Sequence, residues 1–251
     1  MNPAYLITTS SGAILCDTTR ATQVEERWFD PEYWRSRDAQ EVRGSGRGTT
    51  WFVELPSGDG VLRHYRRGGM VARLLGDRYW WSGAENTRAF AEWRLLAMMR
   101  DRGLPVPDPI AARYVRHGWY YRADLITGRI ADSQTLAQWL GAGRVDASLM
   151  RRVGSTIADF HAARVFHADL NAHNVMVSEE RIHLLDFDRG ALRAPGGGWQ
   201  RANLARLHRS LQKLSAHATP GHALPESLWR DLLNAYTARL NVEADAPGVP
   251  R

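Results

Sequence analysis

Two short polar segments in the second half of the chain constrain its fold more than any other feature of the sequence. The first runs from His167 to Asn174 and reads HADLNAHN, and the second is Asp186-Phe187-Asp188. Asp186 follows Asn174 by twelve residues, and short apolar, strand-like pieces at 174–177 and 182–185 flank the two segments. This order predicts two polar loops supported by short strands.

The residue types in these segments are typical of phosphoryl transfer. The first matches the kinase catalytic-loop pattern H-x-D-L-x-x-x-N, and the second stands where protein kinases carry D-F-G. In that chemistry Asp169 receives or orients the acceptor hydroxyl, while Asn174 and Asp186 hold Mg²⁺. The alternative is that both residues are structural, with Asp169 capping a turn and Asp186 ending a strand. That alternative would explain either motif alone, but the two motifs in this order and at this distance favour phosphoryl transfer. His167 is expected to pack under the loop and not to act as a base.

A candidate nucleotide site lies further upstream in the sequence. Gly44, Gly46 and Gly48 form a glycine-rich stretch whose backbone amides could approach phosphate oxygens closely. Arg63, on a predicted strand at 61–65, stands where a kinase has its phosphate-binding lysine. Arginine supplies the same charge with a different geometry. We expect Gly44, Gly46, Gly48 and Arg63 to contact ATP.

The helix that follows offers a carboxylate partner for Arg63. A helix is predicted from about Ala84 to Arg102, with Ser82 and Glu85 at capping-box spacing. Glu92 lies in its amphipathic part and is preferred to Glu85 as that partner. Backbone groups from Asp124 to Ile126 are expected at a hinge that contacts adenine.

The first half of the chain is rich in predicted strands and the second in predicted helices. Strands are expected at 49–55, 61–65 and, around a turn at Gly118, at 110–127. In the second half, Asp146 begins a helix that contains Leu149, Val153, Ile157 and Phe160, and two more helices follow near 202–217 and 226–240. We therefore predict an α+β, bilobal protein-kinase-like fold with the ATP site in the cleft. An N-lobe at 1–126 and a C-lobe at 127–251 would form one kinase-like domain.

Several stretches resemble one branch of the kinase-like superfamily. They are VLRHYRRGG at 61–69, GLPVP at 103–107, YYRADLI at 120–126, the loop at 167–174, and NLARLHRSL at 203–211. The chain resembles the lipopolysaccharide kinases, most closely those of 3-deoxy-D-manno-octulosonic acid (Kdo). The resemblance implies ATP- and Mg²⁺-dependent phosphorylation of the 4-hydroxyl of Kdo on a lipid A precursor. It also implies a peripheral location on the cytoplasmic face of the bacterial inner membrane.

The net charge of +6 indicates an anionic partner. Arginines interleaved with apolar residues between 61 and 81 are typical of a membrane-facing surface. The residues expected to face an anionic membrane are Arg66, Arg67, Arg73, Trp80 and Trp81. Arg206 and Arg209, on a predicted helix, are candidates for binding the acceptor's carboxylate or a lipid phosphate, or form its solvated face. The sequence has no apolar run of 18 residues and a single cysteine, Cys16, which agrees with a cytoplasmic location.

The sequence departs from protein kinases at three points. Arg63 replaces lysine, Asp188 replaces the last glycine of D-F-G, and no A-P-E segment follows. Because protein kinases use that last region to hold a polypeptide, a small or lipid-linked acceptor is favoured. The alternatives are an aminoglycoside or metabolite phosphotransferase, a heptose kinase and, less favoured, a non-catalytic basic binding protein. No nucleic-acid-binding motif is visible, and no obligate protein partner is indicated.

Overall fold

The chain folds into two compact units in a computed structural model that describes residues 4–18, 24–37, 39, 41–43, 49–66, 76–218 and 224–244. Unit 1 comprises Met1–Gly103 and Pro107–Ile130, and unit 2 comprises Leu104–Val106 and Ala131–Arg251. The division after Ile130 lies four residues beyond the predicted boundary after Ile126. The short segment Leu104–Val106 belongs to unit 2, where the Leu184 amide donates to the Pro105 carbonyl at 3.1 Å.

Unit 1 is built on one antiparallel sheet. Its strands are β1 (Ala4–Thr8), β2 (Gly12–Asp17), β3 (Glu41–Arg43), β4 (Thr49–Leu55), β5 (Gly58–His64), β6 (Tyr79–Trp80), β7 (Pro109–His117) and β8 (Tyr120–Gly128). They follow the order β1-β2-β7-β8-β5-β4-β3, with β6 paired to β8. The strand predicted at 49–55 is confirmed, whereas β1 and β2 were not predicted. Gly12 lets β2 approach β7 closely, because a Cβ there would lie 2.0 Å from the carbonyl oxygen of Tyr114.

Two α-helices and two 3₁₀ helices complete the described part of unit 1. They are α1 (Pro31–Arg35), α2 (Arg88–Asp101) and the 3₁₀ turns Glu26–Phe29 and Ala84–Asn86. The prediction that α2 begins at Ala84 is wrong, because Thr87 is its N-cap residue and the preceding turn is 3₁₀. A hydrophobic cluster that includes Trp28, Phe29 and Trp51 packs with Leu62 and Ile126 of the sheet.

Unit 2 contains short strands and four helices within the described residues. The elements are β9 (Gln134–Thr135), α3 (Leu136–Gly141), α4 (Ala147–Ala162), β10 (Val165–Phe166), β11 (Val175–Val177), β12 (Ile182–Leu184), β13 (Ala191–Leu192), α5 (Trp199–Ala218) and α6 (Glu226–Ala244). Strand β11 pairs with β9 and β12, and β10 pairs with β13. These short strands support the two polar loops predicted from the sequence.

The helices of unit 2 form its core. Asp146 caps α4 as predicted, since its carboxylate accepts from the Leu149 amide at 2.8 Å. Gly154 lets α4 and α6 approach, because a Cβ there would lie 2.2 Å from the carbonyl oxygen of Leu232. Leu207 and Leu211 of α5 are fully buried. Among the residues that the structure describes, no helix has both the length and the apolar character needed to cross a bilayer.

Candidate active site

A buried histidine supports the loop between β10 and β11. The Nδ1 atom of His167 accepts from the Asp169 amide at 3.1 Å, and its Nε2 lies 2.8 Å from the Leu185 carbonyl oxygen. These contacts assign the proton to Nε2. Burial lowers the pKa of His167, the Leu185 contact and the charges of Asp186 and Asp169 act against it, and the charge of Arg206 adds to it, so the ring is neutral. His167 therefore packs under the loop, as predicted, and both of its nitrogens are engaged by backbone.

The loop places Asp169 and Asn174 side by side. The Nδ2 group of Asn174 donates to the Asp169 carbonyl at 2.9 Å. The Nδ2 group of Asn171 donates to the same oxygen at 3.0 Å. Because the Asn174 amide nitrogen is held by this bond, its Oδ1 atom is directed away from the loop backbone. The side chain of Asp169 is 55% exposed, so its carboxylate is accessible to a substrate.

The second polar segment lies directly against the first. The Leu185 amide donates to the Asn174 carbonyl at 2.9 Å, which brings Asp186 next to Asn174. Asp186 has a φ of 60°, a left-handed conformation that is uncommon for a residue other than glycine. Phe187 is buried and stacks on Phe160 of α4 at a centroid distance of 5.7 Å. A strained backbone held by such packing is frequent at functional sites.

Three polar residues on one face of α5 contact the loop at 167–174. Asn203 donates to the His167 carbonyl at 2.8 Å and accepts from the His167 amide at 3.3 Å. One turn later Arg206 contacts Asp169, and one turn after that the Ser210 hydroxyl accepts from the Ala172 amide at 3.2 Å. Residues at i, i+3 and i+7 share a helix face. The contacts explain why this helix carries a polar face beside its leucine stripe.

Asn203 and Ser210 were missed as functional residues. Both lie in the stretch 203–211 that carried the family resemblance, but their polar type alone fits a solvated face equally well. The sequence did not show that Asn203 is buried, which would have distinguished it from a solvated residue. Of the two predicted substrate-binding arginines, the structure brings Arg206 to Asp169, with 2.5 Å between Nη1 and Oδ1. Arg209 is exposed on α5.

Arg63 and Glu92 form an ion pair within unit 1. Arg63 on β5 donates to the Glu92 carboxylate on α2 at 2.6 Å, and the Tyr65 hydroxyl donates to the same oxygen at 2.5 Å. The Glu92 side chain is only 2% exposed, against 24% for Arg63. The predicted choice of Glu92 over Glu85 is confirmed as a contact, since Glu85 pairs with Arg94 instead. The pair combines an arginine with a buried glutamate, where protein kinases combine a lysine with a glutamate.

The predicted hinge at Asp124 to Ile126 is wrong. Asp124 and Ile126 lie inside β8. Asp124 pairs with His64 on β5 and Arg113 on β7, and Ile126 pairs with Leu62 on β5 and Ala111 on β7. Because neighbouring strands occupy both edges of β8, its backbone groups there cannot serve adenine.

The Asp124 side chain instead joins a charged network inside unit 1. It accepts from Arg113 at 2.8 Å and lies 2.6 Å from Nδ1 of His64, whose Nε2 is 3.1 Å from Asp77. Burial alone would lower the pKa of His64, but the hydrogen bonds and charges of Asp124 and Asp77 outweigh it and raise that pKa. The network links side chains of β5, β7 and β8 within unit 1.

Gly44, Gly46 and Gly48, which were predicted to contact ATP, lie outside the described residues. The residues predicted to face a membrane have different outcomes, and Arg67 and Arg73 also lie outside the described residues. Arg66 is exposed.

The two predicted tryptophans differ from each other. Trp80 is 59% exposed. Trp81 is half-buried, with its ring 5.0 Å from Tyr114 and below the Arg116 guanidinium at 4.7 Å. A residue that was not predicted, Trp119 in the β7–β8 turn, is 70% exposed and stacks on Trp80 at 5.9 Å.

Comparison with known proteins shows which family this chain is similar to. Residues 32–236 match the lipopolysaccharide kinase (Kdo/WaaP) family. A 3-deoxy-D-manno-octulosonic acid kinase of Xylella fastidiosa strain M23 is 45% identical over 229 residues, which cover 90% of this chain and 89% of that protein. The enzyme of the same name from Xanthomonas campestris pv. campestris strain B100 is 48% identical over 210 residues, 83% of each chain.

A solved structure supports the fold. WaaP in complex with acyl carrier protein superposes with a TM-score of 0.52 at 18% identity, over 88% of this chain and 91% of that chain. With the antiparallel sheet of unit 1 and the helices of unit 2, this confirms the predicted α+β, kinase-like fold class.

Proposed function

The chain belongs to the lipopolysaccharide kinase (Kdo/WaaP) family, and we propose from this premise that it transfers the γ-phosphate of ATP to the 4-hydroxyl of Kdo on a lipid A precursor. The relatives at 45% and 48% identity carry the name of that activity. The observation that carries the proposal is the loop that joins Asp169, Asn174 and Asp186 in unit 2. A positively charged Arg206 at this site argues against an aminoglycoside acceptor, which is itself cationic.

Asp169 is the catalytic group in this proposal. Its exposed carboxylate would accept the proton of the sugar hydroxyl as the oxygen attacks the γ-phosphorus. His167 cannot take this role, because both of its ring nitrogens are bound to backbone groups and burial keeps it neutral. It instead fixes the distance between the two polar segments.

The residues present fit a magnesium ion. Asn174 has its amide nitrogen bound to the loop, so Oδ1 is the atom that would bind the ion, and Asp186, which follows a residue hydrogen-bonded to Asn174, would supply a carboxylate. Mg²⁺ in phosphotransferases is bound by one or two such oxygens together with water and substrate phosphates. When bound, the ion would neutralise negative charge on the phosphate oxygens of ATP. No larger cluster of metal-binding side chains occurs in the described parts of the chain.

Arg63 is the proposed phosphate-binding cation of unit 1. Glu92 is buried and holds one end of the guanidinium, while the 24% exposure of Arg63 leaves part of that group accessible. The Tyr65 hydroxyl fixes the carboxylate from a second direction. A cation oriented in this way loses little side-chain freedom when it binds phosphate oxygens.

The lipid-linked acceptor places the enzyme at a membrane surface. We propose that Trp80 and Trp119 form the interfacial contact, because their stacked indoles are exposed and tryptophan favours the headgroup region of bilayers. Exposed Arg66 adds attraction to anionic lipids of about 1 kcal/mol. Trp81 is not part of this contact, since it packs on Tyr114.

One assay tests the activity. The purified protein is given ATP and Mg²⁺ with a Kdo-bearing lipid A precursor, with an aminoglycoside, or with no acceptor, and phosphorylated product is measured. We expect transfer to the Kdo lipid alone, reduced roughly 10²–10⁴-fold or more by Asp169→Ala with nucleotide affinity retained. Transfer by the Asp169→Ala protein at the wild-type rate would refute the catalytic assignment.

A second assay tests the membrane contact. Binding to vesicles that contain anionic lipid is compared for wild type, the double variant Trp80→Ala/Trp119→Ala, and Tyr5→Ala as a control. Tyr5 is an equally exposed aromatic residue, at 57%, on β1. We expect the double variant to lose binding and the control to keep it. Equal loss in both would contradict a specific tryptophan contact.

A further inference from the structure

Arg206 lies directly against the carboxylate of Asp169. Its Nη1 atom lies 2.5 Å from Oδ1 of Asp169, and the helix that carries it is fixed to the same loop through Asn203 and Ser210. The position of Arg206 relative to Asp169 is therefore set by the packing of α5 and not by the ion pair itself. The contact occupies one acceptor position of Oδ1 and holds the Asp169 carboxylate in one orientation, so the pair must separate before that carboxylate can turn to a sugar hydroxyl.

The exposure of the Arg206–Asp169 ion pair allows Arg206 to exchange Asp169 for another carboxylate. The side chains of Arg206 and Asp169 are 49% and 55% exposed, and ion pairs so accessible to water contribute little to folding. A guanidinium prefers a carboxylate that can receive two parallel hydrogen bonds. A substrate carboxylate that meets this geometry can compete with Asp169 for Arg206.

We propose that Arg206 is the specificity determinant for an acidic sugar and that it releases Asp169 only when the acceptor's own carboxylate binds. The inference rests on the proposed function, since the acceptor of the named relatives is an octulosonic acid. In the free enzyme Arg206 pairs with Asp169. In the complex it pairs with the sugar carboxylate, and Asp169 turns to the hydroxyl.

The chemical step then balances without a further reactant. The sugar oxygen forms a bond to the γ-phosphorus, its proton passes to Asp169, and the bond between the γ-phosphorus and the bridging oxygen of ADP breaks with its electron pair on ADP. A neutral sugar offers Arg206 no carboxylate, so Arg206 keeps Asp169 in its paired orientation and the neutral sugar reacts slowly. Charge on the acceptor thus controls access to the base.

Two acceptors that differ only in charge test this inference. The octyl glycoside of Kdo and its carboxamide are compared at saturating ATP and Mg²⁺, and kcat and KM are measured for wild type, Arg206→Ala and Arg206→Lys. Arg201→Ala is the matched control, because Arg201 is an exposed arginine on the same helix, about 140° from Arg206 around its axis.

We expect the wild type to prefer the carboxylate over the carboxamide by about ten- to a hundredfold in kcat/KM, the usual effect of one charged hydrogen-bonding group. Arg206→Ala should raise KM for the carboxylate by a similar factor while activity on the carboxamide stays equal or increases. The Arg206→Ala protein should therefore lose the preference for the carboxylate over the carboxamide. Arg206→Lys should keep part of it, and Arg201→Ala all of it.

Other outcomes overturn the inference. Equal loss on both acceptors in Arg206→Ala would mean that Arg206 serves Asp169 alone. A raised KM for ATP with an unchanged acceptor preference would assign Arg206 to the nucleotide phosphate. Either result leaves the proposed activity standing. A wild type that transfers phosphate to neither the glycoside nor the Kdo-bearing lipid would instead refute the proposed function, and the inference with it.

Discussion

Replacing both members of the Arg63–Glu92 pair separates its contribution to stability from its role in nucleotide binding. The Glu92 side chain is 2% exposed, so Arg63→Met would remove the Arg63 cation from a carboxylate that water scarcely reaches. Removing one partner of a buried pair costs about 3–5 kcal/mol. Because the Arg63 side chain keeps 24% exposure, we expect the lower end of that range, about 3 kcal/mol. In Arg63→Met/Glu92→Met no charge is stranded, so the cost should fall to roughly 1 kcal/mol or less.

Urea unfolding and ATP titration of the same proteins provide the two measurements. The single variant should be destabilised and bind ATP weakly. The double variant should recover most of the stability while its apparent Kd for ATP stays raised by about tenfold or more, the loss of one charged hydrogen bond to phosphate. Tyr65→Phe is the control, because it removes a hydroxyl donor from Glu92 and leaves the cation in place.

Two results would refute this reasoning. If the double variant bound ATP as tightly as wild type, the pair would be a structural contact between β5 and α2 only. If the double variant were as unstable as Arg63→Met, the cost would not come from a stranded charge. The second result would contradict the burial argument itself.

Three more perturbations follow from the structure. Asp186→Asn should raise the Mg²⁺ concentration needed for half-maximal activity by at least about tenfold, because it removes a charged ligand, and an unchanged requirement would place the metal elsewhere. Asn203→Ala should cost about 2–4 kcal/mol in urea unfolding and lower kcat, since it leaves the buried amide and carbonyl of His167 without their partner; a loss below about 1 kcal/mol would contradict that role. His64→Asn should remove a pH-dependent part of stability. Because the pKa of His64 is raised in the folded protein, its contribution is complete below the unfolded value and is lost as pH rises through the folded pKa. The wild type and this variant should therefore differ most in urea midpoint near about pH 6 and converge at alkaline pH, and a constant difference would show that the imidazolium is not involved.

The sequence by itself determined the parts of the site that depend on short stretches of chain. The loop at 167–174 places Asp169 and Asn174 together through a bond between residues five apart, so its spacing was sufficient to predict their proximity. The same holds for Asp146, whose capping bond spans three residues. Glu92 was preferred to Glu85 because it lies in the amphipathic part of the predicted helix, but its contact with Arg63 joins residues 29 apart. At the loop and at the Asp146 cap, local geometry set the answer.

The errors lie where contacts between distant segments decided the structure. Asp124 and Ile126 were placed at a hinge, but β8 continues to Gly128 because β5 and β7 pair along both of its edges. Trp81 was expected at the surface and Trp119 was not considered. The sheet register puts Trp81 against Tyr114 and leaves Trp119 exposed.

Only the tertiary structure decided what α5 does. Its leucine stripe was visible in the sequence, but the polar face fitted either solvent or a site. The packing of α5 against the loop buries Asn203 and brings Arg206 to the carboxylate of Asp169. These contacts join residues that are 36 positions apart in the sequence for Asn203 and His167, and 37 for Arg206 and Asp169. The backbone of a helix is the same whichever face packs on the rest of the protein. The sequence of the helix alone therefore does not determine which segment its polar face contacts. That neighbour is selected by the packing of the whole unit, in which each buried polar group must find a partner.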